Sequence, residues 1–263
     1  YFLSDSGEGK PVRYIDYSPD EAGSVQTTHL CACIHQPDDH NPMSGGAFWL
    51  GPELSQDSSL EYSFDIKKFQ ASDETHSYGT MGYTFVAGDD SDTTTVNVVP
   101  PSGITISNII KRHTLRTGSA NTYFNSAGGS VRFRPLAADG IENQRITFGF
   151  RLHKKARKPR FAAIKNVWAI YPRRNELNSE SQMQMSLAAT TSGRNFSFTS
   201  TRKAEVWDIS DPLDVYACRT KYNAAEGIYS GTLDRMYGPG HAVPQVVVFD
   251  PDGELYTPEY CCE

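Results

Sequence analysis

The sequence predicts an all-β protein: an antiparallel β-sandwich of jelly-roll type with a short β-rich C-terminal extension. Three observations carry this. Apolar residues recur with a period of two, turn chemistry cuts the chain at near-regular intervals, and helix signals are scarce. "SLEYSFDI" (59–66) shows the first, with Leu60, Tyr62, Phe64 and Ile66 alternating with polar residues. Gly88-Asp89-Asp90, Pro100-Pro101-Ser102-Gly103, Asp139-Gly140, Ser192-Gly193 and Pro251-Asp252-Gly253 show the second; these residue types preset or tolerate turn backbone angles. Only 18–24, "SPDEAGS", offers a helical turn, with Ser18 as N-cap and Pro19 in the first position.

The strand candidates follow in order. After 59–66 come "GYTFVAG" (82–88), "TTTVNVV" (93–99), "ITISNII" (104–110), "GSVRFRPL" (129–136) and "RITFGFRL" (145–152). Then come "IKNVWAIY" (164–171), "QMQMSLAA" (182–189), "NFSFTS" (195–200), "GIYSGTL" (227–233) and "QVVVFD" (245–250). "AEVWDISDP" (204–212) runs a strand into Asp211-Pro212, where proline has no N–H for a ladder. Three segments are expected: a leader over 1–44 with one or two strands, a sandwich over 45–212, and a looser β-rich linker over 213–263. In this reading Trp207 anchors the last core strand, so Trp207→Ala would cost roughly 3–5 kcal/mol.

A chain of 263 residues can bury a substantial core without staples. Its net charge of −6 argues against a general nucleic-acid binder, which needs a basic face. No apolar run approaches the ~20 residues of a membrane-spanning helix. "YFLSDSGEGK" has no signal-peptide core, but a start at Tyr1 and a stop at Glu263 directly after a strand suggest a piece of a longer polypeptide.

Five cysteines, Cys31, Cys33, Cys218, Cys261 and Cys262, do not form a small-domain disulfide framework, and their bridging state stays open. In "HLCACIHQPDDH" (29–40), Cys31, Cys33 and His35 share one strand face, a set with zinc-ligand chemistry. The spacing matches no zinc motif, and a half-buried strand with small sulfur side chains is the expectation. Cys261-Cys262 has no nearby histidine to act as base, so no catalytic thiol is assigned. "KKARKPR" (154–160) reads as a solvated basic loop and "GDDSDTT" (88–94) as a bare acidic turn rather than a calcium loop. "GGAFWLGPE" (45–53) places Phe48 and Trp49 between glycines, where burial is expected. No cofactor is implied.

Several of these stretches, in order, resemble the region that precedes the catalytic domain in gingipain-like cysteine peptidases, nearest to the surface sortase of type IX secretion in the Bacteroidetes. "SGGAFWLGPEL" (44–54) resembles that family's Gly-(Arg)-x-Trp-x-Gly-Glu segment, with Ala47 at the basic position and Pro52 inserted. "AAIKNVWAIYPRRNEL" (162–177) keeps the hydrophobic alternation and Arg174…Leu177 of a family strand. "AEVWDISDP" resembles its Val-Trp-Asp-Val-Thr-Asp-Pro, and "VVVFDPDGELYTPEY" (246–260) the strand leading into the peptidase domain through Thr-Pro-Glu. The family's catalytic His and Cys align to nothing here.

The resemblance implies a non-catalytic, exported scaffold at the cell surface or outer membrane. Its partners would be the downstream peptidase domain of the same polypeptide and secreted protein substrates or outer-membrane secretion components. Trp49, Trp168, Trp207, Asp208, Asp211 and Pro212 would be its structural and junction residues. The alternative is a stand-alone cell-surface adhesion or carbohydrate-binding sandwich, since fold alone does not decide function.

Overall fold

The structure, a computed structural model, describes residues 13–17, 24–39, 41, 49–55, 57–70, 78–89, 93–99, 104–107, 112–116, 125–135, 141–154, 159–178, 180–187, 194–211, 214–233 and 243–253. Among the described residues the elements are all strands. In chain order they are β1 (Arg13–Ile15), β2 (Val25–Gln26), β3 (Thr28–His35), β4 (Leu60–Phe69), β5 (Gly79–Asp89) and β6 (Thr93–Val99). Next are β7 (Ile104–Ser107), β8 (Arg112–Arg116), β9 (Asn125–Pro135), β10 (Ile141–Lys154), β11 (Pro159–Arg174) and β12 (Gln182–Ser186). The last six are β13 (Arg194–Thr199), β14 (Glu205–Asp208), β15 (Tyr216–Cys218), β16 (Thr220–Asn223), β17 (Ile228–Leu233) and β18 (Gln245–Phe249). The all-β, sandwich-like expectation holds. The suggested helical turn at Ser18–Pro19 lies outside the described residues.

The division of the chain differs from the expected 1–44, 45–212 and 213–263. One compact unit joins Tyr1–Leu30 to Arg174–Glu263, and the other is Cys31–Arg173. The segments expected as a leader and a C-terminal extension supply strands to one unit, because β1 pairs parallel with β15 and β2 parallel with β13.

That first unit is a two-sheet sandwich. A five-stranded sheet, β1-β15-β14-β18-β12, and a four-stranded sheet, β16-β17-β13-β2, share one core. Met183 and Met185 of β12, Val206 of β14, and Val246 and Val248 of β18 come from the first sheet; Phe196 and Phe198 of β13 and Tyr229 and Leu233 of β17 come from the second. Each set is spaced by twos or fours, as alternation on a pleated strand requires. Pairing of β1 is fastened at both ends. Arg13 forms an ion pair with Asp214 and lies over the Tyr216 ring at 4.2 Å, and Arg219 reaches Asp16 at 3.3 Å.

The unit Cys31–Arg173 is built on a nine-stranded sheet in the order β7-β9-β5-β11-β4-β10-β6-β8, with β3 also paired to β11. Its core takes Met81, Tyr83, Phe85 and Ala87 from β5 and Ile146, Phe148, Phe150 and Leu152 from β10. β11 shows how its sixteen residues serve two packing phases. Ala162 and Ile164 face the core, then a register shift between Ile164 and Asn166 hands the inward positions to Val167, Ala169 and Tyr171. One extra residue flips the side-chain alternation.

Both units place an aromatic ring over a cross-strand glycine. Phe196 lies over Gly231, Trp168 over Gly82, Phe133 over Gly79 and Tyr83 over Gly129, each pair directly opposite in register. A Cβ at Gly231 would stand 2.3 Å from the end of the fully buried Phe196 ring. Gly231→Ala is therefore expected to destabilise by about 1–3 kcal/mol through overpacking, read as a lowered urea midpoint. The double variant Gly231→Ala/Phe196→Leu should recover part of that loss.

Candidate functional site

Among the described residues, two places besides the Asn175 network concentrate polar chemistry, one in each unit. The first is the turn that closes β14. Strand alternation turns Val206 and Asp208 inward and leaves Trp207 on the other face. Trp207 is half-buried and meets Phe249 of β18 edge-on at 5.3 Å. It is thus not the core anchor expected from its size; the phase set by Val206 decides. The cost of Trp207→Ala falls to about 1–2 kcal/mol, the scale of one aromatic pair plus partial burial. A melting-temperature comparison with Val206→Ala checks this, the smaller valine being the more costly loss.

Asp208 carries the turn. It is 0 % exposed, and its Oδ1 accepts from the Ser210 amide at 3.0 Å and the Ser210 hydroxyl at 2.6 Å. The Gln245 amide donates to Ser210 Oγ at 2.9 Å, and the Ile209 amide donates to the Gln245 carbonyl at 2.9 Å. β14 and β18 are thereby locked where the chain turns out of the sheet. Asp211 follows, its carbonyl accepting from the Asp214 amide at 3.0 Å. Pro212 lies outside the described residues. Across the ladder, Val206 pairs with Cys218. Burial first, and the Asp208 charge second, push the Cys218 thiol up to about 12. It is a protonated core group.

Sequence reasoning missed Asn175, which follows β11. Asn175 is 2 % exposed. Its Nδ2 donates to the carbonyls of Gln26 at 3.2 Å and Ser197 at 3.0 Å, and its Oδ1 pairs with His29 Nδ1 at 2.8 Å. Its backbone N–H donates to the Thr27 carbonyl and its own carbonyl accepts from the Thr199 amide, both at 3.0 Å. One side chain thus ties three segments of the first unit. A single polar residue after a hydrophobic strand gives no sequence signal for that.

The second place is on β3. Cys31 and Cys33 are free thiols, half-buried and packed against the core of the unit Cys31–Arg173. Tyr171 and Arg173, alternate residues of β11, approach Cys31. The Tyr171 hydroxyl also accepts from the Lys67 amide at 3.1 Å. Beside it Lys68 is 3 % exposed with a left-handed φ of 51°, an uncommon backbone state for a residue with a Cβ. That local reversal explains why Lys68 and Phe69 are both buried in succession. His35 does not join the thiols in a metal set: its Nε2 pairs with the Ser63 carbonyl at 2.7 Å and its ring lies 4.8 Å from Phe64. Among the described residues, no three His, Cys, Asp or Glu side chains are grouped to hold a metal.

The two thiols are electrostatically coupled. A hydrogen bond from Cys33, opposed by burial and aided by the Tyr171 hydroxyl and the Arg173 charge, lowers Cys31 to about 6. The same pairing, with burial, pushes Cys33 far up. Both thiols have an ordinary value of 9.0. Between about pH 6 and 9 the unfolded chain therefore holds one more proton on this pair than the folded chain. Stability from the pair must then rise with pH across that window and decline above it, where the unfolded pair holds fewer. The urea midpoint of the wild type minus that of Cys31→Ser/Cys33→Ser, measured from pH 6 to 10, is expected to peak near pH 9.

The remaining sequence candidates separate. Trp49 is 47 % exposed, against the expected burial, while Leu50 is fully buried in its place and packs with Val86 and Ala163. Trp168 is half-buried over Gly82. Phe48, Cys261 and Cys262 lie outside the described residues, as do the side chains of the basic run 154–160 and the acids of 88–92.

Fold and sites together define an all-β, sandwich-forming chain with its polar chemistry in strand-end turns and one thiol face. No protein-family model matches the chain, and no curated protein matches it. Among solved structures, the crystal structure of dimeric latent PorU from Porphyromonas gingivalis shares its fold, with a TM-score of 0.66 at 9 % sequence identity. The match covers 91 % of this chain and 22 % of that chain, so the present chain spans under a quarter of that protein's length.

Proposed function

We propose that the chain is a non-catalytic β-sandwich region of a type IX secretion sortase, a gingipain-like cysteine peptidase, acting at the cell surface as scaffold and docking module. The observation that supports this most is the fold shared with PorU, a type IX secretion sortase, over nearly the whole chain. The ordered resemblance of "AEVWDISDP" and "VVVFDPDGELYTPEY" to that family supports the same reading independently of coordinates.

In this reading the rigid sheets hold strand-end loops for recognition, where binding residues concentrate in sandwich folds. The residues present carry no peptide hydrolysis. Partners are the peptidase domain of the same polypeptide and secreted protein substrates. The test is a calorimetric titration of the 263-residue chain with a secreted type IX substrate and, separately, with the peptidase domain. Saturable binding to either, with no peptide hydrolysis by the chain alone, is the expected result. Absence of binding to both, or hydrolysis lost in Cys31→Ala, overturns it.

A second reading, a stand-alone carbohydrate-binding or adhesion module, draws on the exposed Trp49. Glycan-array binding abolished by Trp49→Ala would favour it over the first.

A further inference from the structure

β1 and β15 close one end of the five-stranded sheet. They pair in parallel over Arg13↔Tyr216, Tyr14↔Ala217 and Ile15↔Cys218, and the Arg219 amide donates to the Ile15 carbonyl at 2.8 Å. Alternation gives this ribbon two faces. From one of them Ile15 packs against the core, opposite the buried Cys218. On that side Arg13 pairs with Asp214 and lies over the Tyr216 ring at 4.2 Å. On the other side Arg219 lies over the Tyr14 ring at 5.3 Å and reaches Asp16 at 3.3 Å. Each segment lends one arginine, which takes an aromatic ring and a carboxylate from the other.

This clasp is specific in pattern and weak in strength. The Arg13 and Asp214 side chains are 58 % and 34 % exposed, and those of Arg219 and Asp16 are 63 % and 83 % exposed. Exposed ion pairs contribute little and are screened by salt. Parallel ladders are also the weaker kind per residue. At the far end of the same sheet, β12 joins β18 over five antiparallel pairs that include no charged residue. Of the two edge strands, β1 is the one whose release costs less.

We propose that the edge of β15 is a strand-exchange site, where β1 is displaced by an extended segment of a partner protein with the same order of side chains: basic, aromatic, aliphatic, acidic. The resident strand defines that order. Asp214 and Tyr216 take the cation, the core beside Cys218 takes the aliphatic residue, and Arg219 takes the ring and the acid. A second copy of the chain offers only an identical β1. Swapping it would repeat the resident contacts and give up the freedom of two molecules. A partner segment gains by carrying the same order into contacts beyond these residues. The docking role proposed above supplies the partner; the exchange site is read from β1 and β15 alone, and its test uses no type IX substrate.

Cys218 reports the state of the edge, because Ile15 lies opposite it and it is 6 % exposed. Iodoacetamide labelling of Cys218 in the full chain is followed by peptide mass spectrometry from about 0.01 to 1 M sodium chloride, across which the screening length falls from roughly 30 to 3 Å. Labelling is expected to quicken about five-fold, the scale of two exposed ion pairs. Arg13→Glu, which sets two carboxylates against each other, should reach the faster rate at low salt. Arg13→Glu/Asp214→Arg should restore protection and thereby show that the fold survives.

Added to the Arg13→Glu chain, the acetylated peptide Arg-Tyr-Ile-Asp-Tyr, copied from residues 13–17, should also restore protection. The same peptide with its Arg and Asp exchanged should not. Labelling indifferent to both salt and Arg13→Glu, equal protection by both peptides or by neither, or protection regained through a dimer seen by light scattering would each overturn the proposal.

Discussion

Asn175→Ala is expected to be the most damaging single substitution, lowering the stability of its unit by about 3–5 kcal/mol. The carboxamide serves two partly buried carbonyls and one buried imidazole. Each buried polar group left without a partner costs about 1–3 kcal/mol. The truncated site is too enclosed for solvent to repair, since Asn175, His29 and Thr28 are all buried. Asn175→Asp tests the reasoning more sharply than alanine. It keeps an acceptor for His29 but turns an acceptor toward the Gln26 and Ser197 carbonyls, so it should not rescue. Asn178→Ala, at a half-buried position nearby, should cost under about 1 kcal/mol. Urea unfolding followed by tyrosine and tryptophan fluorescence measures all three; an Asn175→Asp variant as stable as wild type would show that the donor half of the network carries nothing.

Asp208→Ala is expected to cost about 2–4 kcal/mol. Its carboxylate accepts two bonds from Ser210, and Ser210 in turn receives the Gln245 amide. Removing the carboxylate leaves the Ser210 amide without its partner and frees the hydroxyl that holds β18, at about 1–3 kcal/mol for each group stranded. Asp208→Asn, which can still accept from the Ser210 amide, should lose only about 1–2 kcal/mol, the added worth of a charged acceptor. A second readout separates local from global effects. The Asp208 charge is the second cause that raises Cys218, so Asp208→Asn should lower the pH at which Cys218 titrates. An unchanged Cys218 would place Asp208 elsewhere than against it.

The strands were legible because their packing phase is written locally. Ile146, Phe148, Phe150 and Leu152 alternate without interruption, and all four are core. The same logic breaks where a neighbour strand sets the phase. Nothing in "AAIKNVWAIY" marks the shift at Lys165 that moves the inward face from Ile164 to Val167. At Trp207 side-chain size misled, although Val206 two positions after Ala204 already gave the phase.

The division into units was hidden for a topological reason. β1 and β2 are three and two residues long, and they join strands that lie far along the chain. Such short parallel pairings leave no periodic trace. For the thiol face, alternation put Cys31 and Cys33 together from sequence alone. Tyr171 and Arg173, which set its chemistry, arrive only through the pairing of β3 with β11.

Cleavage of a full-length secreted type IX substrate by the proposed parent peptidase, with and without these 263 residues, tests the proposed docking role most directly. A short peptide substrate run alongside reports the state of the catalytic domain itself. Without the sandwich units, kcat/KM for the protein substrate is expected to fall about ten-fold or more, a loss of roughly 1.4 kcal/mol of transition-state binding, while that for the peptide stays unchanged. Protein-substrate cleavage undiminished by the removal would contradict the proposed role.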